Sequence, residues 1–169
     1  MKLSKVLFVL IFLWGCGKEN DTVSPEIEEL QDNNKMIFLY NGAENNITVS
    51  AEKNSYKENE IVLRGSSNLD NTLMLTFSIT QTGNAEINKD MTGYWDLGLC
   101  TPTDKSLLTN DESNFIKIIS YDSSKNYIEG EFNLKFRQEN DTTIFHNFSN
   151  GKFKAIIDTS YVFEYCEEG

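Results

Sequence analysis

The stretch TLMLTFSI, Thr72 to Ile79, alternates in the way that only an extended chain can use. Leu73, Leu75, Phe77 and Ile79 fall on one side, and Thr72, Thr76 and Ser78 on the other. YIEGEFNLKF, Tyr127 to Phe136, repeats the pattern with Ile128, Phe132, Leu134 and Phe136 inward and Glu129, Glu131, Asn133 and Lys135 outward. A strand with one apolar and one wet face must join a sheet that covers the apolar side, and antiparallel sheets accept this best. Gly130, inside the second stretch, marks a bulge or a close approach. Further strands are expected at Met36–Tyr40, Asn46–Ala51, Ile61–Arg64, Met91–Leu97, Phe115–Tyr121, Thr143–Phe148 and Lys152–Asp158. Asp122–Asn126, Gln138–Thr142 and Asn150-Gly151 read as turns, the last as a type I′ hairpin turn because both residues tolerate positive φ. Residues 115–158 then form a four-stranded meander. No stretch beyond the tether at residues 16–35 has a convincing helical period. The expected fold is all-β, an antiparallel β-sandwich or a partly open barrel.

At 169 residues the chain has room for one domain with appendages. Its formal net charge is -11, and no run of basic residues interrupts the acidity, so a nucleic acid is not an expected partner.

The first residues set the compartment. Lys2 and Lys5 precede the apolar run VLFVLIFL, Val6 to Leu13. That run is far short of the roughly 20 residues of a spanning helix, and reads as an export signal. It ends in LWGC, which resembles the lipobox of bacterial lipoproteins: Leu13 three positions before Cys16, and small Gly15 just before it, although Trp14 is bulkier than usual. A thiolate is a strong nucleophile and can carry a diacylglycerol in thioether linkage. Cleavage before Cys16 frees an amine for a further acyl chain, and each buried CH₂ contributes about 0.8 kcal/mol to anchoring. The alternative is a poorly cleaved signal or a short uncleaved anchor. Residues 17–35 are polar and acidic and cannot build a core, beyond a possible helical turn opening at Pro25, so they read as a tether. The expected organisation is a signal peptide at 1–15, a lipidated Cys16 with a disordered acidic tether at 16–35, and a β domain at 36–169.

Lys18, Glu19 and Asp21 resemble the acidic signal that sends Bacteroidota lipoproteins to the outer cell surface, with a generic acidic linker as the other reading. The expected location is the outer membrane, on its cell-surface or periplasmic face. NYIEGEFNLKF followed by FHNFSNGKFKA resembles the C-terminal hairpin of a family of small Bacteroidota lipoproteins of unknown function. Ile128, Gly130, Phe132 and Leu134 match its first half, and Asn150, Gly151 and Phe153 its second. The resemblance spans most of residues 36–158 and implies a β fold but no activity; the tail after 158 departs from it. Asp21-Thr22-Val23 and Asp141-Thr142-Thr143 resemble the O-glycosylation motif of the same phylum.

With Cys16 assigned to lipid, Cys100 and Cys166 remain, and an exported protein can join them as a disulfide. Such a bridge would contribute on the order of 4 kcal/mol in the chain-entropy model; the alternative is two unpaired thiols. No CxxC exists for a metal. No GxSxG, HExxH, P-loop or GxGxxG is present, and His146 reads as a sheet-face histidine. Asp90, Asp96, Asp104, Asp111 and Glu112 match no calcium-loop spacing. No catalytic, cofactor-binding or metal-ligating residue is therefore expected. Tyr94 and Trp95 are the best ligand-binding aromatics, one of them expected in the core because strand neighbours point opposite ways. The functional expectation is a non-enzymatic binding or structural module, anchored to the envelope membrane by lipid, with an envelope protein or a glycan as partner. The alternatives are a barrel carrying a small apolar ligand and a carboxylate-based hydrolase.

Overall fold

The computed structural model describes residues 32–54, 57, 59–66, 71–79, 81–96 and 105–163. Among these there is no helix. The strands are β1 (Lys35–Tyr40), β2 (Ala43–Asn54), β3 (Glu60–Ser66), β4 (Asn71–Ser78), β5 (Gly83–Asn84), β6 (Glu86–Ile87), β7 (Gly93–Asp96), β8 (Lys105–Leu108), β9 (Phe115–Asp122), β10 (Tyr127–Gln138) and β11 (Phe145–Phe163). All belong to one sheet whose hydrogen bonds close on themselves: β2 pairs β3, then β4, β7, β8, β10 and β11 follow, and β11 returns to β2. β1 is wedged between β11 and β2. The gap between β4 and β10 is crossed twice. β7 and β8 cross it near one end of the ring, and β9 with the two short strands β5 and β6 crosses it further along.

The fold is all-β as expected, but the sheet is mixed. β11 runs parallel to β2, with Ile157 facing Ala51 and Phe163 facing Asn54. The parallel pair arises just before the start of β1. Asn34 leaves the sheet with φ 59; its carbonyl accepts the Val49 N–H (3.0 Å) and its Oδ1 accepts the Ile156 N–H (2.8 Å). Beyond that residue β2 and β11 meet directly.

The expected Asn150-Gly151 hairpin turn is not formed, and the four-stranded meander is three strands. The last two expected strands are one long strand, β11, bent by a bulge. Asn150 has φ 53, and the register slips on both sides, between Phe132 and Leu134 of β10 and between Ile37 and Leu39 of β1. The primed Asn-Gly turn lies instead at Asn41-Gly42, φ 47 and 86, closing β1 onto β2 with Tyr40 facing Ala43. Gly151 serves packing rather than turning. It faces Phe132, while Gly130 faces Phe153. A Cβ on Gly151 would overlap the Phe132 ring, and one on Gly130 would overlap the Phe153 ring. Each phenylalanine thus lies over the glycine of the facing strand.

The inner face holds one continuous core in which Met36, Leu63, Leu75, Phe77, Ile116, Ile128, Phe132, Phe136 and Phe153 are essentially inaccessible. The outer face over β3 and β4 is also covered. Val62 and Met74 pack against Met91, and Thr92 exchanges hydrogen bonds with the Thr76 backbone (3.0 and 3.1 Å).

Gly151→Val keeps an extended backbone but drives a branched side chain into the Phe132 ring. The expected loss is about 1–3 kcal/mol by urea unfolding, and Phe132→Leu in the same chain should restore part of it. An unfolding midpoint equal to that of the unsubstituted protein would show that the ring does not lie on Gly151.

Candidate functional site

One end of the ring is ringed by aromatic side chains from three separate strands. Tyr40 ends β1, Tyr94 comes from the middle of β7, and His146 and Phe148 open β11. Tyr40 faces Phe148 across the β1–β11 pair, and His146 stands in line with buried Phe136 and half-buried Leu108. The Tyr94 ring lies 5.7 Å from that of Tyr40, 5.0 Å from His146 and 5.1 Å from Phe148, the last edge-on. Tyr40 and His146 lie nearly parallel at 5.9 Å. Their rings are also tied by a 2.7 Å hydrogen bond between the Tyr40 hydroxyl and His146 Nδ1. Phe38, Tyr40, Ile47, Leu73, Tyr94 and Phe148 line a hollow of about 110 Å³ whose rim carries Asn45 and Asn71. Asn45 Nδ2–H donates to the Ala43 carbonyl (2.9 Å).

Burial holds the His146 imidazole below its ordinary pKa, so it is neutral at pH 7. It then offers one acceptor and one donor, and Tyr40 takes one of the two. Among the described residues, no carboxylate hydrogen-bonds it. The arrangement can grip a ligand by ring faces and by hydrogen bonds from tyrosine and asparagine.

Several of the carboxylates that the sequence leaves open have structural partners. Asp111, Asp122, Asp141 and Asp158 each accept, on Oδ1, the backbone N–H and the hydroxyl of the residue two further on, at 2.6 to 3.0 Å. The Ser124 hydroxyl and the Lys125 ammonium hold Asp122 at a pKa of about 2. Ser113 lowers Asp111, and Thr143 lowers Asp141. Buried Glu60 accepts from Asn88 (3.0 and 3.3 Å) and from Asn54, and Lys57 stands 3.7 Å away. Buried Glu52 lies 3.9 Å from Arg64. Among the described residues, no three His, Cys, Asp or Glu side chains gather as metal ligands would.

Of the two aromatics singled out in the sequence, Tyr94 lies in the aromatic end and is half-buried. The Trp95 backbone stands between Thr72 and Lys105, and its side chain falls outside the description. Tyr40 and Asn71 carry no local signal of a site; only pairing across the ring brings them to Tyr94. Cys16, Cys100 and Cys166 lie outside the described residues, as do the signal and most of the tether. The strands leading to Cys100 and Cys166 end far apart. Asp96 faces Asn71 at one end of β4, whereas Phe163 faces Asn54 and belongs to the end where Glu60 faces Ser78. From Asn71 to Ser78 is roughly 23 Å of strand.

No family model, curated protein or solved structure matches the chain. Fold and site alone define its class: an all-β sheet closed on itself, with a filled interior and an open aromatic end.

The chain has 1 His, so its ring proton signal in NMR is unambiguous. It should titrate below the ordinary value near 6.5. Between the folded midpoint and about 6.5 the unfolded chain holds more protons, so stability rises with pH there. This contribution is complete above about 6.5 and is lost as pH falls through the folded midpoint. His146→Gln should flatten the fall in melting temperature between about pH 7 and 5. A midpoint at or above 6.5 would mean that the imidazole is not buried against Tyr40 and Tyr94.

Proposed function

We propose that this chain is a non-enzymatic binding module of the bacterial envelope, held to the membrane by lipid on Cys16, that receives its ligand at the aromatic end. The observation that carries the reading is the hollow itself. Half-buried Tyr40 and Tyr94 stand over a filled core, with Asn45 and Asn71 at the rim. About 110 Å³ admits one small ring or one side chain, not the roughly 300–1,000 Å³ of an enclosed ligand site. That favours capture of an exposed group over carriage of a whole apolar molecule. A sugar ring suits such a place, with its C–H face on tyrosine and its hydroxyls on the asparagines. The membrane location rests on the lipobox resemblance of Leu13 to Cys16, and display at the cell surface on the separate resemblance of Lys18, Glu19 and Asp21 to an export signal.

Two experiments test the two halves separately. Cys16→Ala should abolish acyl labelling and move the protein from the detergent phase to the aqueous phase; unchanged partitioning defeats the anchor. Titration of the full-length chain with neutral mono- and disaccharides should change its tyrosine fluorescence. Tyr94→Ala should remove the response without unfolding the ring. Binding that survives Tyr94→Ala places the ligand elsewhere.

A further inference from the structure

We propose that a second site, on the outer side of the wall formed by β8, β10 and the start of β11, binds a small carboxylate ligand with an apolar face, and that the Arg137 guanidinium receives the carboxylate. The register sets Leu107, Arg137 and Phe145 in one row, Arg137 facing Leu107 on one side and Phe145 on the other. Cross-strand partners share a face of the sheet, so an exposed cation stands between two exposed apolar side chains, Leu107 at 38% and Phe145 at 42%. The row opens into a groove of about 520 Å³. That volume falls within the range of small-molecule sites.

The rest of the groove is already arranged. Lys135 lies 5.2 Å from the centre of the Phe145 ring and 3.4 Å from Asp111. Asp111 is in turn held by the Ser113 N–H and hydroxyl. Arg137 has no ion pair and no side-chain hydrogen bond among the described residues, in a chain with 26 acidic and 15 basic side chains. A guanidinium presents a planar fork that matches a carboxylate with two parallel bonds. A phosphate would fit the fork equally well, but Asp111 and Glu139 line the same groove and the formal net charge is -11. A dianion is repelled more than a monoanion by such surroundings. Leu107 and Phe145 require that the body of the ligand be apolar on at least one face, as an arene or the C–H face of a sugar acid is.

Two sources of this chemistry can be told apart by calorimetric titration of the full-length chain in detergent. The probes are indole-3-acetate and methyl galacturonoside, each with one carboxylate, with indole-3-acetamide and methyl galactoside as their uncharged counterparts. At least one carboxylate should bind, at least tenfold more tightly than its counterpart, and the one that binds names the source. Arg137→Gln should weaken that carboxylate at least tenfold with the melting temperature unchanged, Phe145→Ala should weaken it too, and Tyr94→Ala should leave it unaffected. Absence of binding by both carboxylates, or binding that Arg137→Gln does not weaken, would overturn the proposal.

Discussion

Two glycines and two phenylalanines exchange places across β10 and β11, and the interior is organised around that exchange. Phe132 lies over Gly151 and Phe153 over Gly130, in a register that admits no slip. Sliding β11 by one residue would turn Phe153 to solvent and take Gly151 from beneath Phe132. From this pair the aromatic contacts spread through the core. Phe153 meets Phe77 of β4 at 6.0 Å, and Phe132 meets Phe38 of β1 at 6.2 Å. Phe38 and Phe136 both meet Phe148, at 5.3 and 5.5 Å. The last of these rings belongs to the wall of the hollow, so the packing that sets the register also sets the floor under Tyr40 and Tyr94.

Closure of the sheet depends on asparagine where many chains use glycine. Asn34, Asn41, Asn59, Asn126 and Asn150 all have positive φ. Asparagine tolerates this region better than other residues with a Cβ because its short amide bonds locally. Here the amides also bond across the ring: Asn34 Oδ1 accepts from Ile156, and Asn41 Oδ1 accepts from Asn147. A glycine at either place would turn the chain equally well and leave the N–H of β11 without this partner.

Alternation in the sequence carries the strands and their inward faces because a half-buried strand has a local signature. It fails where the deciding contact is not local. Asn150-Gly151 has the composition of a hairpin turn, yet the glycine is needed because a ring from β10 occupies the space of its Cβ. β5 and β6, at two residues each, are too short to alternate, and β8 sits in a stretch that lacks a strand signal. Tyr94 is recognisable as an aromatic in a strand, but its companions Tyr40 and His146 lie 106 residues apart. The row through Arg137 is hidden for the same reason. Lys117, Lys135, Arg137, Lys152 and Lys154 never form a basic run, yet β9, β10 and β11 gather them on one outer wall, interleaved with Glu129 and Glu131.

The double role of β11 also governs when the molecule becomes whole. Asn41 meets Asn147 across 106 residues, and Asn34 meets Ile156 across 122. During synthesis β2, β3 and β4 emerge early and can pair as hairpins, but their sheet keeps open edges until the last described strand arrives. Pairings so distant in sequence are slow to form, because the loop must close before the contacts reward it. Until then unpaired strand edges and a half-covered aromatic core face the surroundings together, the combination most prone to associate with other chains. The hazardous interval of this protein's life therefore ends with the docking of residues 145–163, and its length is set by how quickly they are delivered.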